Sequence, residues 1–346
     1  MQQSQTTIIN AKAQTASLAA KRAALPASCR GRIIGGGFLS KAGILGLLLG
    51  AGLLPALGQT NQLRYRFTEI PLPPSAQALG INDNGLVTGS YVDPVTGDAL
   101  SFLLEGGRLT TGIEMPGAMD TILGPANNFG VESGNAGDET NQQAVFYDIR
   151  RGTYTPLPEI PGMSFNSCNG INDFGHAVGV AYASGDVLTS GGNGVGMNWL
   201  WDGWHYSFFT VPDATNGAYA GGINDWDQIS GYYVDGADIP HGFVKDGTKY
   251  TTLTVPGAAV TVGGAINNEG VVTGYYVTPE NILHGFIWRD GQFITVDANV
   301  SGAIGSGWIG LNDNGDLAGV YFDTNYMQHA VIALRVDRDG YCGFGH

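Results

Sequence analysis

The sequence predicts an all-β fold: a six-bladed β-propeller of four-stranded antiparallel blades, its ring closed by the N-terminal strand. Three observations carry this expectation. A short phrase built on asparagine recurs six times, at spacings of 45, 45, 52, 43 and 45 residues. Each repeat has room for four short strands, the size of a propeller blade. A spare strand precedes the first repeat, while the last repeat has no clear fourth strand of its own.

The phrase reads Gly80-Ile81-Asn82-Asp83-Asn84-Gly85, and returns at Gly170, Gly222, Ala265 and Gly310, with a degenerate copy at Pro125-Ala126-Asn127-Asn128-Phe129-Gly130. It is an apolar stretch ending in a turn, where Asn or Asp followed by Gly supplies the positive φ of a tight hairpin. An alternating second strand follows, as in Leu86 to Tyr91 or Val271 to Tyr276. After a variable loop comes a third strand such as His284 to Trp288, then an Asp-Gly or Gly-Gly turn and a fourth such as Gln292 to Val296. Linkers such as Pro256-Gly257-Ala258 lead to the next repeat. Tyr65 to Ile70 resembles the other fourth strands, so it can complete the last blade beside His329 to Val336. Closure removes the unpaired edge that an open array would leave. An open β-solenoid is the alternative, and it would leave the spare strand unused.

Composition agrees. Fifty-five glycines with 43% hydrophobic and 13% charged residues suit many short strands joined by tight turns, and exclude a disordered chain. Charge is unevenly spread: residues 1–58 hold six of the sixteen basic groups and none of the thirty acids. The acidic remainder repels phosphate backbones and anionic membrane surfaces, which excludes nucleic acid as a partner. The basic segment runs into an apolar stretch, Gly43 to Leu57, of signal-peptide length, with small residues at Ala56 and Gly58. Residues 1–58 therefore read as a signal peptide and 59–346 as a single propeller domain. The expected product is secreted or periplasmic, monomeric, and not inserted in the membrane after cleavage. An uncleaved anchor is the other reading. Cys168 and Cys342 remain in the mature chain, either as a disulfide or as two buried thiols.

The repeated phrase, the Val-x-Gly-x-Tyr strand and third strands opening His-Gly-Phe (His241, His284) or His-Ala-Val (His329) resemble the HAF-type extracellular repeat family of exported bacterial proteins. The likeness spans roughly residues 64–336. It departs in the first three repeats, where Ser101, Ala144 and Asn198 stand in place of His. The resemblance implies export and repetition, and brings no established activity.

Candidate sites follow from the blade plan. Loops between second and third strands share one face with the inter-repeat linkers. There Tyr91, Tyr182, Tyr233, Tyr276 and Tyr321 end second strands, with Asp93, Asp235 and Asp323 close behind. Aromatic rings beside carboxylates suit neutral or cationic ligands, sugars included, although blade packing also uses tyrosine. His241, His284 and His329 open third strands on the same face, one blade apart, too widely spaced to share a metal ion; they read as local structural devices. The Asn-Asp turns at Asp83, Asp173, Asp225 and Asp313 offer too few oxygens for an EF-hand-like calcium loop, and bond their own backbone instead. The Gly- and Ser-rich insertion at 182–197 is a flap or a tolerated loop. The sequence contains no nucleophile-elbow, zinc-protease or phosphate-loop motif, and no cofactor is expected.

The first functional reading is therefore a non-catalytic binding protein for a glycan, peptide or protein partner, using the loop-bearing face. The alternative is a carbohydrate-active hydrolase or lyase with carboxylates at the channel mouth.

Overall fold

A computed structural model describes residues 63–138, 141–183 and 196–336, all within the compact unit Gly35–His346. The signal-peptide segment, Cys342 and most of the 182–197 insertion lie outside the described residues.

The chain enters as β1 (Arg64–Glu69). The first repeat supplies β2 (Gln77–Ile81), β3 (Val87–Val92), β4 (Ala99–Glu105) and β5 (Arg108–Ile113). The second supplies β6 (Asp120–Ala126), β7 (Val131–Gly137), β8 (Gln142–Asp148) and β9 (Thr153–Pro156). The third supplies β10 (Met163–Ile171), β11 (Ala177–Ala183), β12 (Met197–Trp201) and β13 (Tyr206–Phe209). The fourth is β14 (Ala218–Ile223), β15 (Ile229–Val234), β16 (Pro240–Asp246) and β17 (Lys249–Leu253). The fifth is β18 (Val260–Ile266), β19 (Val272–Val277), β20 (Leu283–Arg289) and β21 (Gln292–Thr295). The sixth has three strands of its own, β22 (Ala303–Leu311), β23 (Leu317–Asp323) and β24 (Gln328–Val336).

Repeats one, four and five each form a four-stranded antiparallel sheet in sequence order. Repeats two and three do the same, and one parallel pair, Phe165 with Gln142, joins them. The sixth sheet is completed from the other end of the chain: β1 lies antiparallel to β24 from Arg64 opposite Val336 to Glu69 opposite Val331. The first strand of each repeat touches its two counterparts, and β2 meets β22, so the innermost strands make a closed circuit. The fold is an all-β propeller.

The axis is crowded. A Cβ at Gly222 would stand 2.9 Å from the Cα of Ala265, and one at Gly310 would stand 2.8 Å from the Cα of Gly80. Glycine at 222 and 310 is therefore a demand of backbone against backbone, whereas Pro125 and Ala265 stand at the same position in the second and fifth repeats. Further out, the sheets pack through buried third-strand rings, Phe102, Trp199, Phe243 and Phe286. Hydroxyls tie neighbours together as well: Thr88 Oγ1 donates to the Gly124 carbonyl and Ser230 Oγ to that of Gly264, each at 2.5 Å.

The strongest inter-repeat tie lies at the Asn turns. Asn82 Nδ2 donates to the carbonyl of Asn127 at 3.0 Å, and Asn127 to that of Asn172 at 3.1 Å. Asn172, Asn224 and Asn267 pass the bond on, and Asn312 donates back to Asn82 at 3.0 Å, across 230 residues of sequence. The same asparagines accept through Oδ1 from their own turns, Asn172 from the Phe174 and His176 amides at 3.0 and 2.9 Å. The glycines that end these turns have φ between 74° and 83°; in the fourth repeat Asp227 takes that role at 56°.

Two outcomes test this account. Asn172→Ala leaves a carbonyl and two amides of a buried site unpaired and should cost about 2–3 kcal/mol in urea unfolding. Asn84→Ala removes one exposed bond, from Asn84 Nδ2 to the Asn128 carbonyl at 3.0 Å, and should cost less, about 0.5–1 kcal/mol. Deleting residues 59–70 removes β1, including Phe67, which stacks on the buried Trp308 at 6.1 Å. Such a protein should aggregate or melt far below the parent; unchanged melting would mean that β1 does not close the ring.

Candidate functional site

On the loop-bearing face the structure separates the expected site residues. Tyr91, Tyr233 and Tyr321 are 8%, 5% and 4% exposed, and Tyr276 is half-buried. Their rings serve packing between and within sheets, so they offer no open platform. Tyr182 points to the opposite side of its strand from these four and meets Phe165 edge-on. Asp93, Asp235 and Asp323 are turn residues. Asp93 Oδ1 accepts from the Val95 amide at 2.7 Å, Asp235 Oδ1 from Ala237 and Ile239, and Asp323 Oδ1 from Asn325 and Met327. The Ile239 amide foremost, with His241, holds the Asp235 carboxyl below the usual carboxylate range, and the Met327 amide does the same for Asp323. None of these eight lines the dish at the Asn turns or the cleft between the fifth and sixth repeats described below.

His241, His284 and His329 each find their partners within their own repeat or the strand that completes it, whereas His176 reaches Asp227 of the next repeat at 2.8 Å. His241 Nε2 lies 3.1 Å from Asp235 Oδ2 and Nδ1 lies 3.0 Å from Thr254 Oγ1; His284 Nδ1 lies 2.8 Å from Asp297 Oδ2. His329 sits between Asp323 and Glu69, both at 3.4 Å. The imidazoles of His241, His284 and His329 each face the tyrosine directly across the ladder, Tyr321 and His329 at 4.9 Å and 15°. The register also corrects the sequence alignment. The residues opposite the equivalent second-strand position in repeats one to three are Leu100, Gln143 and Met197, each one place before Ser101, Ala144 and Asn198. Among the described residues no group of three His, Cys, Asp or Glu side chains is arranged to hold a metal ion.

The other face is built differently. Because strands alternate in direction, turns between first and second strands share it with turns between third and fourth. At its centre is a shallow dish of about 80 Å³, lined by the six asparagines and the residues that follow them. Those followers form a second closed ring, in which each main-chain amide donates to the next side chain: Asp83 to Asn128, Asn128 to Asp173, and so on to Asp313, which donates to Asp83 at 2.7 Å. Asn128 Nδ2 bridges Asp83 and Asp173 at 2.7 and 2.9 Å; Asn268 Nδ2 bridges Asp225 and Asp313 at 2.8 and 2.9 Å. Two amides thus stand among four carboxylates, and loss of water, with Asp83 and Asp225 nearby, pushes the Asp313 carboxyl up.

Around the dish stands the third residue of each turn: Asn84, Phe129, Phe174, Trp226, Glu269 and Asn314. Phe129, Phe174 and Trp226, in consecutive repeats, are 64%, 72% and 71% exposed. Trp204, in the third–fourth turn of repeat three, is exposed on the same face. The turn itself takes only the main-chain amide from this position, as the bond from Phe174 to Asn172 shows. The Asn84, Trp226 and Asn314 side chains also donate to a carbonyl of the next repeat, a bond that Phe129 and Phe174 cannot make, so the fold does not demand an aromatic ring there. Scattered exposed rings need no explanation, but a run of them at one equivalent position marks a contact surface. The sequence displays these rings at one variable position inside the repeated phrase, and that recurrence is the signal that could have found them.

No known family model matches the chain, and no curated protein matches it in sequence. Among solved structures it is similar to AofleA from Arthrobotrys oligospora, at 13% identity over 82% of this chain and 88% of that one, with a TM-score of 0.49. It is similar also to the Aleuria aurantia lectin AAL in complex with Fucα1-6GlcNAc, at 10% identity over 79% and 97%, with a TM-score of 0.47. A third is the β-propeller domain of the Trilobed protease from Pyrococcus furiosus, at 9% identity over 75% and 93%, with a TM-score of 0.43. At these identities and scores none of them bears on what this chain binds. Among the described residues no helix is long and apolar enough to cross a membrane.

Two buried groups lie outside both faces. Cys168 is a buried thiol whose pKa burial pushes up, which makes it a poor nucleophile. Glu132 is fully buried where the other repeats place Val87, Ala177, Ile229, Val272 and Leu317, and neither carboxyl oxygen has a partner among the described residues. Loss of water raises its pKa well above 4.5, which favours the neutral carboxyl in the folded protein. A raised folded-state pKa means stability that is intact below about pH 4.5 and falls as pH rises towards the folded value. Glu132→Leu should therefore raise the melting temperature at pH 7, with a gain that shrinks at pH 4. Equal gains at both pH values would count against a neutral buried carboxyl.

Proposed function

We propose that this chain is an exported, six-bladed propeller of the HAF-repeat type that binds a glycan through its Asn-turn face, without catalysis. The observation that carries this is the arc of exposed Phe129, Phe174 and Trp226 beside the carboxylate-lined dish. Aromatic faces stack against the C–H faces of sugars, and carboxylate and amide oxygens accept from hydroxyls. This places binding on the face opposite to the one the tyrosines suggested. Support for export is the basic-then-apolar sequence of residues 1–58, and for six blades the closed sixfold circuit of asparagine bonds. The hydrolase alternative would need one carboxyl free to deliver a proton and another to act as base or nucleophile. The dish acids instead accept main-chain and side-chain hydrogen bonds as ties of the ring.

A glycan array followed by an assay for released reducing ends separates the readings. The expected result is binding without cleavage, weakened at least about tenfold in a Phe174→Ala, Trp226→Ala double variant, the change that loss of about 1.4 kcal/mol brings. Tyr326→Ala, on the other face, should bind like the parent. Release of reducing ends would establish the hydrolase instead, and no retention of any glycan would remove the binding reading.

A further inference from the structure

A cavity of about 350 Å³ opens at the same end of the ring, between the fifth and sixth repeats. Its origin is the way the ring closes. In the fifth repeat the ladder between third and fourth strands ends with Arg289 opposite Gln292, where the hairpin turns. The sixth repeat has no hairpin, because its fourth strand is β1. Arg66 with Leu334 takes the equivalent place, and Tyr65 with Arg335 and Arg64 with Val336 run on beyond it. This overhang, together with Leu63, makes one wall; Val271, Ile287 and Arg289 contribute the other.

The lining divides chemically. Leu63, Val271, Ile287, Ile294, Leu311 and Val336 supply aliphatic surface, and the ring of Tyr65 is the only aromatic among the lining residues. Three guanidinium groups, Arg64, Arg289 and Arg335, border it, in a mature chain with ten basic and thirty acidic side chains. Of the acids in the lining, Glu269 pairs with Arg289 at 3.2 Å and Asp313 accepts from Asn268. Arg64 and Arg335 have no ion-pair partner among the described residues. The Arg335 side chain lies against the Gly315 turn, where an added Cβ would stand 3.0 Å from its Cδ and 3.1 Å from its Nη1, and its main-chain amide donates to Asp316 Oδ1 at 2.8 Å.

We propose that this cleft binds a carboxylate carrying a branched aliphatic group, with the carboxylate on Arg64 and Arg335 and the hydrocarbon against the Leu, Ile and Val wall. A guanidinium presents paired donors that match a carboxylate. The volume falls at the lower end of small-ligand pockets, and the acidic surroundings repel polyanions. A free short-chain acid and the carboxy-terminus of a peptide ending in an aliphatic residue share this chemistry.

Calorimetric titration of the full chain tests it with isocaproate, with acetyl-Ala-Ala-Leu as the free acid, and with the same peptide as its amide. The free acid should bind at least about tenfold more tightly than the amide, as loss of a charge-assisted pair requires. Arg64→Gln and Arg335→Gln should each weaken binding by a similar factor at unchanged melting temperature. Arg64 lies on an exposed strand end, so its variant remains informative even if Arg335→Gln unfolds. Arg151→Gln, away from the cleft, and the Phe174→Ala, Trp226→Ala variant should bind like the parent, which keeps this result separate from glycan binding. Tighter binding of isocaproate identifies a small acid as the source, and tighter binding of the peptide identifies a chain terminus. Equal affinity for acid and amide, indifference to both arginine variants, or no binding of any probe at millimolar concentration would overturn the proposal.

Discussion

Each axial asparagine does two things with one side chain. Its carbonyl oxygen accepts amides of its own turn, and its amide nitrogen donates to the main chain of the next repeat. No other residue type of this size offers an acceptor and a donor so disposed: aspartate lacks the donor, and leucine has neither. Local turn and ring closure are thereby one requirement. A turn that failed to form would leave the neighbouring carbonyl unpaired in a buried site, which costs more than the bond itself contributes. The follower ring of Asp83, Asn128, Asp173, Asp225, Asn268 and Asp313 repeats the device one residue further on, with main-chain amides as donors.

Closure at the axis would leave the outer edge of β24 bare, and there the chain uses a different means. β1 supplies a ladder and also the apolar faces of Tyr65 and Phe67 against the last repeat. The two closures act at opposite edges of the same sheet, so a slip in either is opposed by the other. Joining the ring from two chain ends has a geometric by-product. Hairpins set the height of every other outer wall, whereas the seam is free to extend, and the cleft beside Arg335 is a consequence of that freedom.

Much of this was legible in the sequence because the signals are local. Turn chemistry at Asn82 or Asn312 is written within six residues, and the period between copies then sets the number of repeats. The spare strand at Tyr65 was legible because it repeats the pattern of the other fourth strands. What could not be read was which side of a strand faces open water. Alternation places Tyr91 and Tyr233 on one side of their strands, but only the packing of one sheet on the next shows that this side is closed. The misplaced histidine equivalents have a related cause. Loops of variable length precede the third strands, so counting from them loses register, and the true anchor is the second-strand glycine opposite Phe102 or Trp199. Glu132 likewise looks like an outward residue in an alternating strand and is buried.

The division between what the ring requires and what it leaves free also locates function. The first residue of the Asn turn is fixed by the closure, and the second is confined to Asp or Asn because its side chain must accept an amide. The third gives its own turn only a main-chain amide, with Asn84, Trp226 and Asn314 adding an exposed side-chain bond to the next repeat, and this is where the six repeats diverge, to aromatic rings in three and polar groups in the others. The fourth must take a left-handed φ, which glycine does in five repeats. On this face, variation within the Asn turn is thus concentrated at one position per repeat, arranged around one axis. A repeat protein whose scaffold is this tightly specified can acquire a binding surface where that specification relaxes, and the exposed rings at the third turn position and the arginines at the seam occur at two such places.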